Sequence, residues 1–204
     1  MQTRLLIRRG AQALLLGALA LLVGCGGGGG GGGSGGAATT FTFAFTPAPG
    51  GAGCAGCVQL RVSSATSTQI ILEVVVRGAL NDVFSAGFDL RFDDLLLDWV
   101  QVTEGDLLDS DGAATAVLGG IDGANSDVLV VGAARLAPAV TGVNLAAAQE
   151  KILVQLRFQA LAPGTVALVF EDTGGFDSTL LDSGSLEILG GAGFFAGTLE
   201  ITKV

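Results

Sequence analysis

Acidic side chains are the groups in this chain best suited to acid–base chemistry. The 204 residues include no histidine and no tyrosine, so the Ser-His-Asp and Cys-His schemes lack their general base. A glycosidase needs only two carboxylates, and Asp93-Asp94 is the adjacent pair. Neighbours on a strand point to opposite faces of the sheet, so the pair faces one substrate only if the chain turns there. We interpret it as a strand-end turn with solvated carboxylates and predict that the protein is not an enzyme.

Two loops are rich in the oxygen ligands that Ca²⁺ prefers. They contain Asp106, Asp109 and Asp111 in the first, and Asp122, Asn125 and Asp127 in the second. Neither loop has EF-hand spacing, because Ala113 and Ala124 stand where an oxygen ligand is needed and no glutamate closes either loop. The sequence favours acidic surface loops and leaves a looser calcium site open. We predict no resident metal and no cofactor.

The N-terminal segment has the three parts of a bacterial lipoprotein signal. Arg4, Arg8 and Arg9 form a basic start, residues 11–23 form an apolar core too short for a comfortable membrane span, and Gly24 precedes Cys25. We predict that residues 1–24 are a signal peptide. Cys25 would carry a thioether-linked diacylglycerol and, usually, a further acyl chain such as palmitate on its amine. Two open alternatives are an ordinary secretory signal with a chance cysteine and a transmembrane helix that Arg8 and Arg9 would interrupt.

Residues 25–37 are predicted to be the lipidated cysteine and a flexible tether. From residue 26 to residue 36 every residue is glycine except Ser34, a composition that cannot bury apolar area and that spans roughly 17–20 Å as a coil. Gly26 stands where an aspartate commonly retains lipoproteins in the inner membrane. We therefore expect a lipid-anchored protein of the cell envelope, in the outer membrane rather than the inner one, facing the periplasm or the surface.

The remaining residues, 38–204, have the length of one globular domain. Without the three signal arginines, seven basic residues stand against nineteen acidic ones, a formal charge of −12. A surface this acidic repels nucleic acid and anionic lipid. We exclude nucleic acid as a partner and expect membrane contact through the lipid anchor only.

Strand patterns dominate this domain. Phe41, Phe43 and Phe45 alternate with small polar or apolar residues, and residues 69–77 are a β-branched run suited to a central strand. Further strand candidates are residues 58–63, 88–92, 96–103, 114–118, 128–134, 152–161, 165–171 and 196–202. Turn signals such as Asn81-Asp82 and Pro163-Gly164 separate them. The pattern predicts an all-β sandwich or jelly roll, with a single short helix candidate at residues 145–149.

Two cysteines remain in the domain, Cys54 and Cys57. In an oxidising compartment two thiols this close are expected to pair, and we interpret them as a structural disulfide or an idle pair rather than a redox site. The glycines at positions 51, 53 and 56 match a dinucleotide fingerprint in letters, but a strand follows them where that motif needs a helix.

Trp99 is the only tryptophan. In strict alternation it shares a face with Leu97 and Gln101, opposite Val100 and Val102. If that face is outward, Trp99 could anchor a partner or stack on a sugar; if the register slips by one residue, it is core. We favour burial in the core or at a sheet edge and keep Trp99 as a candidate binding residue.

Four segments, taken in order, resemble the cohesin family. They are AGFDLRFD at residues 86–93, VQVTEGDLL at 100–108, ILVQLRFQA at 152–160 with Pro163-Gly164-Thr165 after it, and GTLEI at 197–201. The resemblance covers roughly residues 58–204. It implies a nine-stranded jelly-roll β-sandwich, related to certain carbohydrate-binding modules, and an activity like that of cohesins in polysaccharide-degrading cellulosomes, which bind calcium-loaded dockerins across one sheet face.

Three functions follow as hypotheses. The first is a membrane-anchored, non-enzymatic module for protein–protein interaction, with a partner that bears a dockerin. The second is a carbohydrate-binding module of related fold, against which the scarcity of aromatic residues counts. A cryptic glycosidase that depends on Asp93 or Asp94 is a third.

Overall fold

The computed structural model describes residues 39–51, 53–173 and 177–204. The predicted signal peptide, the lipidation site Cys25 and the predicted tether lie outside the described residues. Within the described ranges, no helix has the length and apolar character that crossing a membrane requires.

The described residues form fifteen strands and one short 3₁₀ turn at Gly191–Gly193. The strands are β1 (Phe41–Pro47), β2 (Cys57–Ala65), β3 (Gln69–Arg77), β4 (Leu80–Val83), β5 (Ser85–Arg91), β6 (Leu97–Glu104), β7 (Thr115–Ile121), β8 (Val128–Arg135), β9 (Val143–Leu145), β10 (Glu150–Ala160), β11 (Gly164–Glu171), β12 (Thr179–Leu181), β13 (Glu187–Leu189), β14 (Phe194–Phe195) and β15 (Gly197–Lys203). This count exceeds the nine strands that the resemblance implies, in part because single residues interrupt longer runs, Phe84 between β4 and β5 and Ala196 between β14 and β15.

One layer of the sandwich is a five-stranded sheet in the order β14-β2-β3-β10-β6. The predicted β-branched run becomes β3, whose two neighbours β2 and β10 are both antiparallel to it. Its side chains at Ile70, Leu72, Val74 and Val76 are fully buried on the inner face. A strand covered on both edges and on one face suits β-branched residues, because their stiff side chains fit a pleated, packed surface.

The other layer runs β1-β15-β11-β5, with β8 and then β7 beyond β5. β5 pairs with β8 along its whole length on one side, and with β11 and the short β12–β13 hairpin on the other. β4 and β9 form a separate two-stranded ladder. Because β7 pairs only with β8 among the described residues, it forms an edge of this sheet.

The two layers enclose one hydrophobic core. Phe88 of β5 and Phe170 of β11 pack edge to face with ring centroids 5.4 Å apart, and Phe92 packs in the same way on Phe158 of β10 at 5.3 Å. Phe92 and Phe158 come from opposite layers, so this pair joins the two sheets. The architecture is the predicted all-β, jelly-roll sandwich.

Two local predictions are wrong. The helix candidate at residues 145–149 is the end of β9 followed by a turn, in which the N–H of Gln149 donates to the carbonyl oxygen of Ala146 at 2.9 Å. Five residues are too few to offset the cost of starting a helix. Asn81-Asp82 lies within β4 rather than between strands, since Asp82 adopts a φ of 59° at an irregularity in the β4–β9 ladder.

Candidate functional site

Asp93-Asp94 lies in the turn that follows β5. The N–H of Leu95 donates to Asp93 Oδ1 at 3.0 Å, and the hydroxyl of Ser126 donates to Asp94 Oδ2 at 2.6 Å. Both carboxylates therefore hold neighbouring chain segments together. This is the arrangement expected of a strand-end turn.

The first acidic loop is tied to two strands. Asp106 accepts hydrogen bonds from Lys151 Nζ and from the backbone N–H of Ile152, both at 2.8 Å. The buried guanidinium of Arg135 donates to Asp111 Oδ2 and to the carbonyl oxygen of Leu108, both at 2.6 Å. Asp106 and Asp111 are thus occupied by cationic side chains of the protein itself.

The second acidic loop is occupied in the same way. Asn125 Nδ2 donates to Asp122 Oδ2 at 2.5 Å, and the guanidinium of Arg91 pairs with Asp127. Across residues 39–51, 53–173 and 177–204, no group of three or more His, Cys, Asp or Glu side chains is placed to hold a metal ion.

The Sγ atoms of Cys54 and Cys57 are bonded, with their Cα atoms 6.0 Å apart. The closed loop sits against the β3–β4 turn, where a Cβ on Gly78 would collide with the backbone nitrogen of Gly56. Cys57 is buried at the start of strand β2, and Gly56 has a φ of +68°. No helix follows these glycines, so the loop has no helix N-terminus that could bind a pyrophosphate.

Trp99 is half-buried and packs against the core rather than standing on the outer face. Trp99 is in unbroken register with Leu97, which is fully buried, so both side chains lie on the inner side of β6. Beyond Trp99 the strand has a bulge: Gln101 is opposite Arg157 and Trp99 is opposite Phe158, so Val100 is an extra residue without a partner. A bulge shifts the alternation by one residue, and Trp99 and Val102 therefore both belong to the side chains that pack on the core. This is the burial that we favoured; a binding role for Trp99 stays a prediction.

The outer face of β5, β8 and β7 is apolar at its centre. We call it the apolar face; its residues are Ser85, Gly87, Ala116, Leu118, Gly120, Val130, Gly132 and Ala134. Leu118 of β7 is 75% exposed and Val130 of β8 is 42% exposed. Cross-strand pairing aligns Leu118 with Gly132 and Gly87, and Ala116 with Ala134 and Ser85. A shallow depression of about 250 Å³ lies among these residues.

Glycines and alanines keep this face open. A Cβ added at Gly87, Gly120 or Gly132 would meet no atom within 4 Å, so nothing in the described residues covers them. A flat sheet with small side chains leaves room for another chain to lie close to the backbone. Our sequence reasoning missed this face, although its signal is present: small or aliphatic residues recur at every second position of β7 and β8.

Carboxylates border the apolar face at one end. Glu171 Oε1 accepts a hydrogen bond from Arg91 Nε at 2.5 Å, and Asp89, only 8% exposed, accepts one from the N–H of Asp177 at 3.2 Å. Burial raises the pKa of Asp89 above its usual range, and repulsion from Asp122, Asp177 and Glu171 adds to the increase. With one arginine among these carboxylates, this border is acidic.

The outer face of the five-stranded sheet is polar and internally bonded. Arg61 Nε pairs with Glu73 at 2.7 Å, and Gln155 Nε2 donates to the same carboxylate at 3.2 Å. Gln69 Nε2 donates to Gln159 Oε1 at 3.1 Å. A partner would have to replace these bonds, so this face is the weaker candidate for docking.

Neither a protein-family model nor a curated protein matches the sequence. Solved structures do match its fold. One is the second type II cohesin module of a scaffoldin of Acetivibrio cellulolyticus, with a TM-score of 0.56 and 17% identity, over 71% of this chain and 90% of that chain. A type II cohesin from Bacteroides cellulosolvens matches with a TM-score of 0.51 and 10% identity, over 67% and 92% of the two chains.

A third match is the structure of a type II cohesin–X–dockerin complex from Acetivibrio cellulolyticus. It has a TM-score of 0.50 and 15% identity, over 69% of this chain and 93% of that one. At these identities the likeness concerns the fold, and the fold of the described residues is cohesin-like.

Proposed function

We propose that this cohesin-like domain is a non-enzymatic protein-binding module of the cell envelope, and that it binds a dockerin-type module through the apolar face. The observation that carries the proposal is the apolar face itself. On three adjacent strands, an exposed leucine and an exposed valine lie beside glycines and alanines. Exposed apolar patches bordered by polar residues are typical of protein–protein interaction sites.

The shape of the face favours an apolar partner surface. The space above Gly87, Gly120 and Gly132 is open, because a Cβ added there would meet no described atom within 4 Å. A helix or an extended segment can therefore approach the sheet closely. Leu118 and Val130 supply apolar area that a partner would remove from water, at about 25 cal/mol per Å². The acidic border at Asp89 and Glu171 favours a partner with basic side chains beside its apolar surface.

The comparison with solved structures supports the class of partner. Among the similar structures is a complex that a cohesin forms with a dockerin-bearing chain. The acidic loops of this chain are tied to its own Arg91, Arg135 and Lys151, so any calcium in the complex would belong to the dockerin. We further propose that a lipid on Cys25 holds the domain at the membrane.

The binding test uses residues 39–204, which contain every described strand and core side chain. The immobilised domain is tested by biolayer interferometry against purified dockerin modules with calcium present. Val130→Glu is expected to weaken binding about tenfold to hundredfold, because it introduces a charge at the centre of a desolvated patch.

The matched control is Val100→Glu. Val100 is 40% exposed and lies in a strand, as does Val130 at 42%, but it belongs to the other sheet. This control is expected to bind like the wild type. Equal losses for the two variants, or retention of polysaccharide alone in a pull-down from cell-envelope extracts, would contradict the proposal.

A further inference from the structure

Strand β7 is an edge without the usual protection. It has seven residues, Thr115–Ile121, with no charged residue and no proline, and its ladder with β8 runs without a register shift. Among the described residues it pairs with no other strand. Such an edge presents a row of backbone donors and acceptors to which another strand can bind.

The other edges of the two sheets differ from β7. β6 carries the exposed Asp98 and Glu104 and is bent by the bulge at Val100. β1 ends in Pro47, whose nitrogen cannot donate a hydrogen bond. β13 and β14 have only three and two residues. Short strands, charges, bulges and proline are the devices that keep edges from pairing, and β7 alone among these five edges has none of them.

We propose that β7 pairs with β7 of a second copy of this chain, antiparallel about a two-fold axis through Leu118. This register aligns all seven residues of the strand: Thr115 with Ile121, Ala116 with Gly120, Val117 with Gly119, and Leu118 with itself. Each strand binds the same surface of its partner, so the contact closes as a dimer.

The charges favour a second copy at this edge over other contacts between copies. The domain carries a formal charge of −12 once the signal is removed, so two copies repel each other over most of their surfaces. At β7 the aligned residues are uncharged, and the first carboxylate beyond the strand, Asp122, lies opposite Ala114 of the copy. No carboxylate of β7 or its flanking residues therefore faces another across the axis, and the carboxylate of another strand that contacts β7 is Glu104, which accepts a hydrogen bond from Thr115 at the start of the strand.

Pairing would also change the apolar face. Because Ala116, Leu118 and Gly120 belong to β7, the sheet would continue through both copies and their apolar faces would lie side by side. The exposed Leu118 of one copy would contact that of the other. This arrangement goes beyond the proposed function and does not depend on it.

Cysteine crosslinking in the full-length chain, in its own membrane, tests the register. Directly opposite residues of antiparallel strands have Cα atoms about 4.5–5.5 Å apart, within the range that a disulfide can bridge. Leu118→Cys is expected to give a crosslinked dimer on a non-reducing gel. Gly120→Cys is the control, because a Cβ added at Gly120 would meet no atom within 4 Å. In the proposed register Gly120 lies opposite Ala116 of the copy, so Gly120→Cys is expected to crosslink only when it is co-expressed with Ala116→Cys.

Two crosslinking results would overturn the proposal. One is the absence of a dimer for Leu118→Cys. The other is equally strong dimer formation by Gly120→Cys alone, which would indicate random collision. Crosslinking through β7 does not depend on a dockerin, so failure here leaves the proposed function unaffected, and loss of dockerin binding leaves the dimer unaffected.

Salt dependence gives an independent measurement. Glu104 of β6 accepts a hydrogen bond from the hydroxyl of Thr115 at the start of β7, and both copies are acidic, so like charges oppose the approach of two copies. Sedimentation equilibrium of residues 39–204 is expected to show a dimer whose dissociation constant falls as sodium chloride rises from about 0.05 to 0.5 M, because salt screens this repulsion. A monomer at every concentration, or a dimer that weakens with salt, would count against pairing through β7.

Discussion

Asp89 illustrates how a single residue departs from its strand. β5 alternates buried apolar residues with outward ones, and Asp89 faces outward yet is almost covered. Its hydrogen bond from Asp177 partly offsets the loss of water, but burial and three neighbouring carboxylates still raise its pKa. A raised pKa in the folded state means that the ionised form is less stable in the fold than in the unfolded chain.

Asp89→Asn is therefore expected to stabilise the domain at pH 7. The amide oxygen can still accept the N–H of Asp177, while the buried negative charge is gone, so we expect the free energy of unfolding to increase. In the wild type, protonation of Asp89 stabilises the folded state. This stabilisation is fully present below the unfolded pKa, near 4, and is lost as pH rises through the higher folded pKa. The gain should thus shrink as pH falls towards 4.

Urea unfolding of wild type and Asp89→Asn at several pH values measures this difference. Asp93→Asn is the control, since Asp93 is exposed on a turn. A variant that is less stable than the wild type at pH 7 would show that Asp89 has a favourable partner that we have not identified.

At the scale of elements, β6 and β7 close the sandwich at one side although they belong to different sheets. Gly119 of β7 makes this closure possible, because a Cβ there would lie 2.8 Å from Val102 Cγ1 and 3.4 Å from Trp99 Cζ2. A Cβ on Gly120, the next residue, would meet no atom within 4 Å. The two adjacent glycines therefore have different roles, one in packing and one on the open face.

Gly119→Val is expected to destabilise the domain by about 1–3 kcal/mol, the usual cost of adding volume to a packed site. Gly120→Val should change the stability by less than about 0.5 kcal/mol. Chemical unfolding followed by fluorescence of Trp99, the only tryptophan, measures both. Because a Cβ at position 119 would lie against the indole, only Gly119→Val should also shift the emission of the native state. Equal effects of the two variants would contradict a packing role for Gly119.

At the scale of the whole molecule, the chain enters and leaves the sandwich at the same end. The N–H of Val204 donates to the carbonyl oxygen of Thr40 at 2.9 Å, and β1 pairs with β15 along its full length. Beginning the domain after β1, at Cys54 or Val58, would thus remove an edge strand. The first described residue, Thr39, lies two residues beyond the end of the predicted tether at residue 37.

The proposed lipid anchor leads to a prediction about the complete protein. Cys25→Ser removes the thiol that would be acylated, so the protein should move from the membrane fraction to the soluble fraction and lose metabolic labelling by palmitate, because two or three acyl chains are what makes attachment stable. Cys54→Ser with Cys57→Ser is the control, since those residues are joined in the domain, and it should stay in the membrane. Membrane retention of Cys25→Ser would disprove lipidation as the anchor.

Much of the fold follows from local pattern. The phenylalanine alternation of β1, the β-branched run of β3 and the alternating β5 predicted strands that the structure confirms, because period-2 alternation is the direct consequence of a half-buried pleat. Short strands such as β12, β13 and β14 carry too few residues for a pattern, and long-range pairing alone stabilises them. The helix predicted at residues 145–149 was wrong because these five residues are likewise too few for a reliable pattern.

What the sequence by itself determined is the class of the molecule: an acidic all-β domain without histidine, a cohesin resemblance, and a cysteine-containing N-terminal signal as a prediction. Only the tertiary structure decided which residues share a face. A one-residue bulge at Val100 brought Val102 to the same side of β6 as Trp99, and the order of β5, β8 and β7 assembled the apolar face from segments up to about fifty residues apart. Register and strand order depend on pairing between distant segments, and no local sequence pattern specifies them.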